Sequence, residues 1–374
     1  MPPPIPEAFS HYRFFRPKGY PSTAVRSAKP VHRTYTVEKP EQEPGAHQRR
    51  DLGEGLTMGA YIVRRLLQAV PLLVGVSVLG FAMMQLAPGG PLAVYTLNPT
   101  VSAQDIERIK HIYGLDQPMH TQYLKWASGM FTGNWGYSFF GSRPVREVIL
   151  ERVPATAELM GTAMAFAIVV GVLIGTLGAV KRYSIFDYVA TTGAMLALSF
   201  PTFWFGLMAI YIFADKLRLF PSGGTMTLGG AGGLADRLHH LVLPTLVLGL
   251  VMVAQWSRYT RSCLLEVLGQ DYVRTARSKG LRERFVLFRH AMRNALVPLV
   301  VLMGLQLPWL FSGALVTESV FSWPGMGRLF LDALNVRDYP ILMAMLMVTA
   351  ALVIVGNLLA DLLAAVVDPR IRLA

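Results

Sequence analysis

Six long apolar runs, at 66–86, 156–180, 188–214, 241–256, 296–317 and 341–367, leave this chain few ways to fold. A helix that crosses the hydrocarbon core of a bilayer takes about 20 predominantly apolar residues. Inside lipid, only helices and closed barrels satisfy every backbone polar group. The chain therefore reads as an all-α, polytopic membrane protein with six transmembrane helices. Composition agrees: 53% of the 374 residues are hydrophobic, only 16% are charged, and the charge is gathered between the runs. The fourth run is short, so its boundaries are soft.

Basic residues in the connections set the expected topology, because cytoplasmic loops retain Lys and Arg. Arg64 and Arg65 precede the first run, Lys181 and Arg182 follow the second, a basic segment separates the fourth from the fifth, and Arg370 and Arg372 end the chain. These belong on one side, the cytosol, which places both termini there in a plasma (inner) membrane. The segment 88–153 falls outside, its bases nearly balanced by acids. The net charge of +12 is thus read as topology and attraction to anionic headgroups rather than nucleic-acid binding.

Residues 1–57 are rich in proline and charge and lack a sustained apolar period, so a disordered cytosolic tail is expected. They also lack the apolar core of a signal peptide. "MGAYIVRRLLQAVPLL", from Met58, reads like the natural start of a membrane protein. In the long external loop, "SAQDIERIKHIYGL" predicts a short surface helix that stops at Gly114. "GNWGYSFFGSRPV" predicts an aromatic turn near the headgroups.

No catalytic constellation is visible. The chain has no H-E-x-x-H, G-x-S-x-G or C-x-x-C, and its one cysteine, Cys263, reads as a small space-filling residue. His239 and His240 are adjacent, so their side chains diverge on a helix, and they read as surface residues at a membrane boundary. There is no G-x-x-x-x-G-K-[ST] phosphate loop, so uphill transport would need an ion gradient or another subunit. The runs themselves are nearly free of ionisable groups, which weakens the ion-gradient reading. Glu318, at the outer end of the fifth run, and Asp361, in the sixth, stand out, and a local hydrogen-bond network or an arginine partner explains each of them.

The segment "DYVRTARSKGLRERFVLFRHAMRNALVP", residues 271–298, suits two short amphipathic helices joined at Gly280, which can take the left-handed conformation that ends the first. At these residues the sequence resembles the membrane-spanning permease subunits of ATP-binding-cassette importers, in the dipeptide, oligopeptide and nickel subfamily, and within it the first, B-type permease. That family carries an "EAA" loop with a glycine four residues after the last alanine. Ala276 and Gly280 fit this spacing, whereas Arg274 and Thr275 stand where the general motif has glutamate and alanine. "GLDQP", "GNWGYSF", "SFPTFWFGL", "ESVFSWPGMGRL" and "NLLADLLAAVVDPRIR" carry the resemblance from about Met58 to Arg372.

The resemblance implies the type I importer permease fold, with an EAA coupling loop at 262–297 that lodges in a cleft on a cytosolic ATPase. Arg274, Thr275, Arg277, Lys279 and Arg282 would then make polar contacts there, and Ala276 and Gly280 close packing. Trp135, Trp323, Pro324 and Gly325 are the candidates for an external gate or for docking a peptide-binding protein. ATP and magnesium would sit on two partner ATPases, with no cofactor or metal on this chain, and a second permease would complete a heterodimer. The translocation cavity is expected to be near-apolar and without fixed charges. Import of di- or oligopeptides, import of nickel or another small solute by the same machine, and transport without ATPases all remain open at this stage.

Overall fold

The computed structural model describes residues 58–87, 90, 92, 101–112, 114–227, 229–230, 232–306 and 314–367. The expected disordered tail lies outside them, as do 307–313 of the fifth apolar run. Five long helices are apolar enough to span a membrane: α1 (Met58–Leu86), α4 (Val145–Val180), α7 (Leu234–Leu268), α9 (Glu283–Gln306) and α12 (Tyr339–Val367). Between the first two lie α2 (Ala103–Ile112) and α3 (Met119–Thr132). The α2 helix is the expected surface helix. Ser102 caps it, accepting from Asp105 N at 3.2 Å and donating to its carboxylate at 2.6 Å, which holds that carboxyl below its ordinary range. Gly114 follows at φ +63, as a stop should. The α3 helix has no counterpart in the sequence reading, and residues 145–153, expected in the loop, form the first turns of α4.

The third apolar run corrects the expectation of a continuous span. It breaks into α5 (Ile185–Ser199) and α6 (Thr202–Ala209), the latter continuing as a π-helix over Ile210–Lys216, and the two halves meet at 102°. Pro201 causes the break, since its ring excludes the preceding residue from helical geometry, and Phe200 is extended at φ −86, ψ 139. The fifth run is also displaced. Its helix already begins at Glu283, passes through a π-helical turn over Val286–Met292 and runs on to Gln306, while the outer residues of the run fall in a separate short helix, α10 (Leu315–Val320). A further short helix, α11 (Met326–Asn335), precedes α12.

The α4 and α7 helices make the central contact. Gly171 and Gly175 of α4 face Trp256, Ser257 and Thr260 of α7 so closely that no side chain fits between them, and Gly178 lies close to Arg261 of α7 and Asp187 of α5. A Cβ at Gly171 would meet the Trp256 Cβ at 2.5 Å, and one at Gly175 would meet Thr260 Cβ at 2.7 Å and press on the Ser257 carbonyl. Small residues are the usual means of such approach in membranes, where lipid removes the hydrophobic drive for helix association and packing must supply it. Around this crossing pack Met164, Ala167, Val253 and Leu299, bringing α9 against the pair.

Ion pairs fasten the ends of the bundle. At the end that gathers the basic connections, Arg65 reaches Asp361 at 2.9 Å while Tyr61 donates to the same carboxylate at 2.8 Å, joining α1 to α12. There too, Arg261 forks onto buried Asp187 at 2.7 and 2.8 Å, joining α7 to α5. At the opposite end, Arg237 forks onto Glu158 at 2.9 Å, tying α7 to α4. Asp361 therefore has the arginine partner that the sequence suggested.

The glycine crossing gives a direct test. Gly175→Leu should destabilise the protein by about 1–3 kcal/mol through overpacking. Gly161→Leu, on the same helix but with open space around its Cβ position, should change little. Thermal unfolding in detergent reads the difference.

Candidate functional site

Residues 269–282 connect α7 to α9 through the short helix α8 (Asp271–Ser278). Val273 and Ala276 are buried on its inner face against Val286, with Val267 and Leu268 beside them. The helix is thus seated on the ends of the two spans it links. Ala276, one of the residues expected in close packing, is buried within the chain, because it shares the apolar inner stripe with Val273.

Gly280 ends the turn at φ +75, with its N–H on the Arg277 carbonyl at 2.9 Å. It is exposed, and a Cβ there would meet nothing within 4 Å. Within this chain the requirement at Gly280 is therefore conformational. The predicted pair of short helices is also corrected. Only α8 is separate, and the second helix is the beginning of α9.

The basic residues divide by role. Arg277 bridges the Gly280 turn to Glu283, Nη2 to Oε1 at 2.6 Å and Nε to Oε2 at 3.2 Å. That hydrogen bond raises the Arg277 pKa above its ordinary value, although partial burial opposes the shift. Arg277 therefore braces the loop, a role that sequence reasoning missed because its partner lies across the turn. Arg274 is 77% exposed and touches Asp271 only at 3.5 Å. Lys279 and Arg282 are exposed, and among the described residues neither has an ionic partner. Thr275 is exposed and returns its hydroxyl to the Asp271 carbonyl at 2.9 Å. The outward face of the loop is thus cationic and free, on a backbone fixed from within.

The residues expected at an outer gate fall into two clusters at the other end of the bundle. Trp135 is half-buried in the aromatic turn, donates to the Met130 carbonyl at 3.2 Å and packs against the start of α4, α11 and the start of α12. Ser138 of the same turn hydrogen-bonds the buried Asp338 carboxylate, which also accepts from Phe139 N at 3.3 Å and so ties the turn to the start of α12. Trp323 is fully buried and donates from Nε1 to the Ala155 carbonyl of α4 at 2.8 Å. Its ring therefore offers no docking surface and serves to hold the turn rigid.

Gly325 sits where any Cβ would strike Thr156 Oγ1 at 2.5 Å and the Glu318 carboxylate. Pro324 between them is half-buried. The vacancy lets Glu318, itself fully buried, accept from Thr156 Oγ1 at 2.8 Å and from Arg328 N at 3.0 Å, while Thr156 accepts from Met326 N at 2.7 Å. A carboxylate and a hydroxyl thereby satisfy first-turn amides of α11 and staple α4, α10 and α11 together. Glu318 is therefore a member of a local network, one of the explanations the sequence allowed.

His240 departs from expectation. It is 5% exposed, and its Nδ1 lies 2.9 Å from the Gly223 carbonyl, because the loop before α7 folds over it. Among the described residues no group of three or more His, Cys, Asp or Glu side chains has the arrangement of a metal site.

Among the described residues, fold and loop together define a helical, multi-pass membrane protein with a braced short helix whose cationic face is exposed. Residues 58–160 match the family model for the N-terminal part of the binding-protein-dependent transport system membrane component, and residues 167–373 match the model for the binding-protein-dependent transport system inner membrane component. This chain belongs to that family of inner membrane components. It is 45% identical over 316 residues to the oligopeptide transport system permease protein AppB of Bacillus subtilis, covering 84% of this chain and 100% of that protein. Over 333 residues it is 40% identical to the dipeptide transport system permease protein DppB of Escherichia coli, covering 83% of this chain and 98% of that protein.

The outer staple predicts its own sensitivity. Glu318→Ala leaves buried amide and hydroxyl donors without an acceptor and should cost about 1–3 kcal/mol for each group left unsatisfied. Glu318→Gln keeps one acceptor oxygen and should cost less. Thermal melts of the purified variants in detergent rank the two.

Proposed function

We propose that this chain is a permease subunit of an ATP-driven importer and forms part of the path by which di- or oligopeptides cross the membrane. The observation that carries the reading is α8. Its apolar face is seated on the ends of α7 and α9, and its cationic face is free. A helix so held cannot move without moving both spans, so a partner that grips it from outside works the membrane helices directly. The peptide substrate is supported by the relatives, which are named as oligopeptide and dipeptide permeases and are matched along nearly their whole length.

On this reading the α8 end of the bundle faces the cytosol, both termini lie there, and two ATPases hold ATP and magnesium. This chain supplies motion and a path rather than catalysis. A second permease completes the channel. An external binding protein delivers the peptide to the outer end, where α2, α3 and the Trp135 turn form the surface. Lys279, Arg282 and Arg274 supply the polar contacts to the ATPase, while Arg277, Ala276 and Gly280 keep the loop in shape.

Two experiments separate these roles. In proteoliposomes holding the complete importer, Gly280→Val should lower ATP-driven peptide uptake at least several-fold, since a β-branched residue is strained at positive φ, whereas Gly280→Asn should retain most of it. The double variant Lys279→Glu, Arg282→Glu should lose co-purification of the ATPases while keeping the wild-type melting temperature. Unchanged association in that variant would remove these two residues from the interface, and a wild-type chain that never associates with ATPases would end the importer reading.

A further inference from the structure

Opposite the glycine crossing, α7 presents a second face. Gln255, Arg258, Tyr259 and Ser262, spaced by three and four residues, lie on one side of the helix and are exposed. With Arg261 and Leu265 of the same helix and Thr191 and Leu198 of α5 they line a cleft of about 580 Å³.

The register with α4 gives the depth of this face. Gly171 and Gly175 lie against the backbone of Trp256, Ser257 and Arg261, so Arg258 is level with the 171–175 segment. From Leu159 to Val180, α4 carries no charged residue. Its next charge, Lys181, stands about 9 Å beyond Gly175 along the axis at 1.5 Å per residue. The backbone of Arg258 therefore lies level with the uncharged stretch of α4, and a path along this face would carry a fixed charge where none was expected.

Its neighbour Arg261 is neutralised by buried Asp187 at 2.7 Å. Among the described residues Arg258 has no such partner. A charge at this depth is costly against lipid, and such residues face a water-filled cavity or the interior of a bundle.

We propose that this face lines the inner half of the translocation path, and that Arg258 is a transient receptor for the C-terminal carboxylate of the passing peptide. The proposal rests on the peptide-permease reading. A free carboxylate is the anionic group shared by all unmodified peptides, and the planar guanidinium fork matches it in two parallel hydrogen bonds. Gln255, Tyr259 and Ser262 beside it offer neutral donors and acceptors suited to main-chain amides, which any peptide presents whatever its side chains. One unpaired charge among neutral groups and an arginine already neutralised by Asp187 binds strongly enough to admit the ligand and weakly enough to release it, as conduction requires.

Two measurements on the complete importer test this. In a Cys263→Ser background, single cysteines at Gln255 and Ser262 should be alkylated by a membrane-impermeant maleimide applied at the cytosolic side. Reaction only with a lipid-soluble maleimide would put the face against lipid and overturn the path. In proteoliposomes, Arg258→Gln should lower uptake of a tripeptide about tenfold relative to wild type, should change uptake of its C-terminal amide far less, and Arg258→Lys should restore part of the loss. Equal loss for acid and amide, or no loss for either, overturns the carboxylate role. A wild-type importer that carries neither peptide refutes the function proposed above and the carboxylate role with it, and the aqueous face then stands or falls on the alkylation result.

Discussion

The close approach of α4 and α7 at Gly171, Gly175 and Gly178 is the contact on which the other arrangements depend. In lipid, no hydrophobic drive pulls two apolar helices together, so the contact must come from shape and from groups that lipid cannot satisfy. The side chains missing at Gly171 and Gly175 allow it. Because the backbones meet there, Arg261 comes within reach of Asp187, α9 closes on the pair through Leu299, and the end of α7 is set where α8 can seat against α9. A Cβ at Gly178 would itself crowd Asp187 Oδ1 at 3.2 Å, so the crossing and the ion pair are parts of one arrangement.

The buried polar groups at the opposite end follow the same logic with different residues. Glu318, Thr156 and Asp338 occupy places where short helices or turns would otherwise expose unpaired amides near a membrane surface. An ionisable residue in a largely apolar chain invites a catalytic or proton-carrying reading. Glu318 and Asp338, however, each accept from backbone amides and a hydroxyl, which is the work of a cap and a clamp.

Much of this was legible in the sequence. Apolar run length located the spans, the basic connections marked one end of the bundle, and Gly280 was recognised as left-handed from its place between two helix-forming segments. Other features were hidden for identifiable reasons. The break at Phe200–Pro201 interrupts a run that hydropathy counts as continuous, and proline inside a span is a poor signal because α1, α4, α7 and α9 each carry one without breaking. The inward orientation of Ala276 depends on Val286, which lies beyond the turn. The partnership of Arg277 with Glu283 crosses that same turn, and the exposed face around Arg258 emerges only once the opposite face of α7 is known to be occupied.

The fastening of α4 to α7 has a mechanical consequence. The two helices are joined by the glycine crossing near one end, by Thr162 and Thr245 at 3.0 Å further along, and by the Glu158–Arg237 fork near the other. Two rods bonded at several points along their length resist bending far more than either rod alone, so the pair behaves as a single stiff beam. A 35-residue helix such as α7 is about 52 Å long at 1.5 Å per residue. Tilting such a beam by about 5° at the α8 end carries its far end through roughly 4.5 Å. On the proposed reading, a small rotation imposed at the α8 end would thereby reach the far side of the bilayer as a displacement of several ångströms.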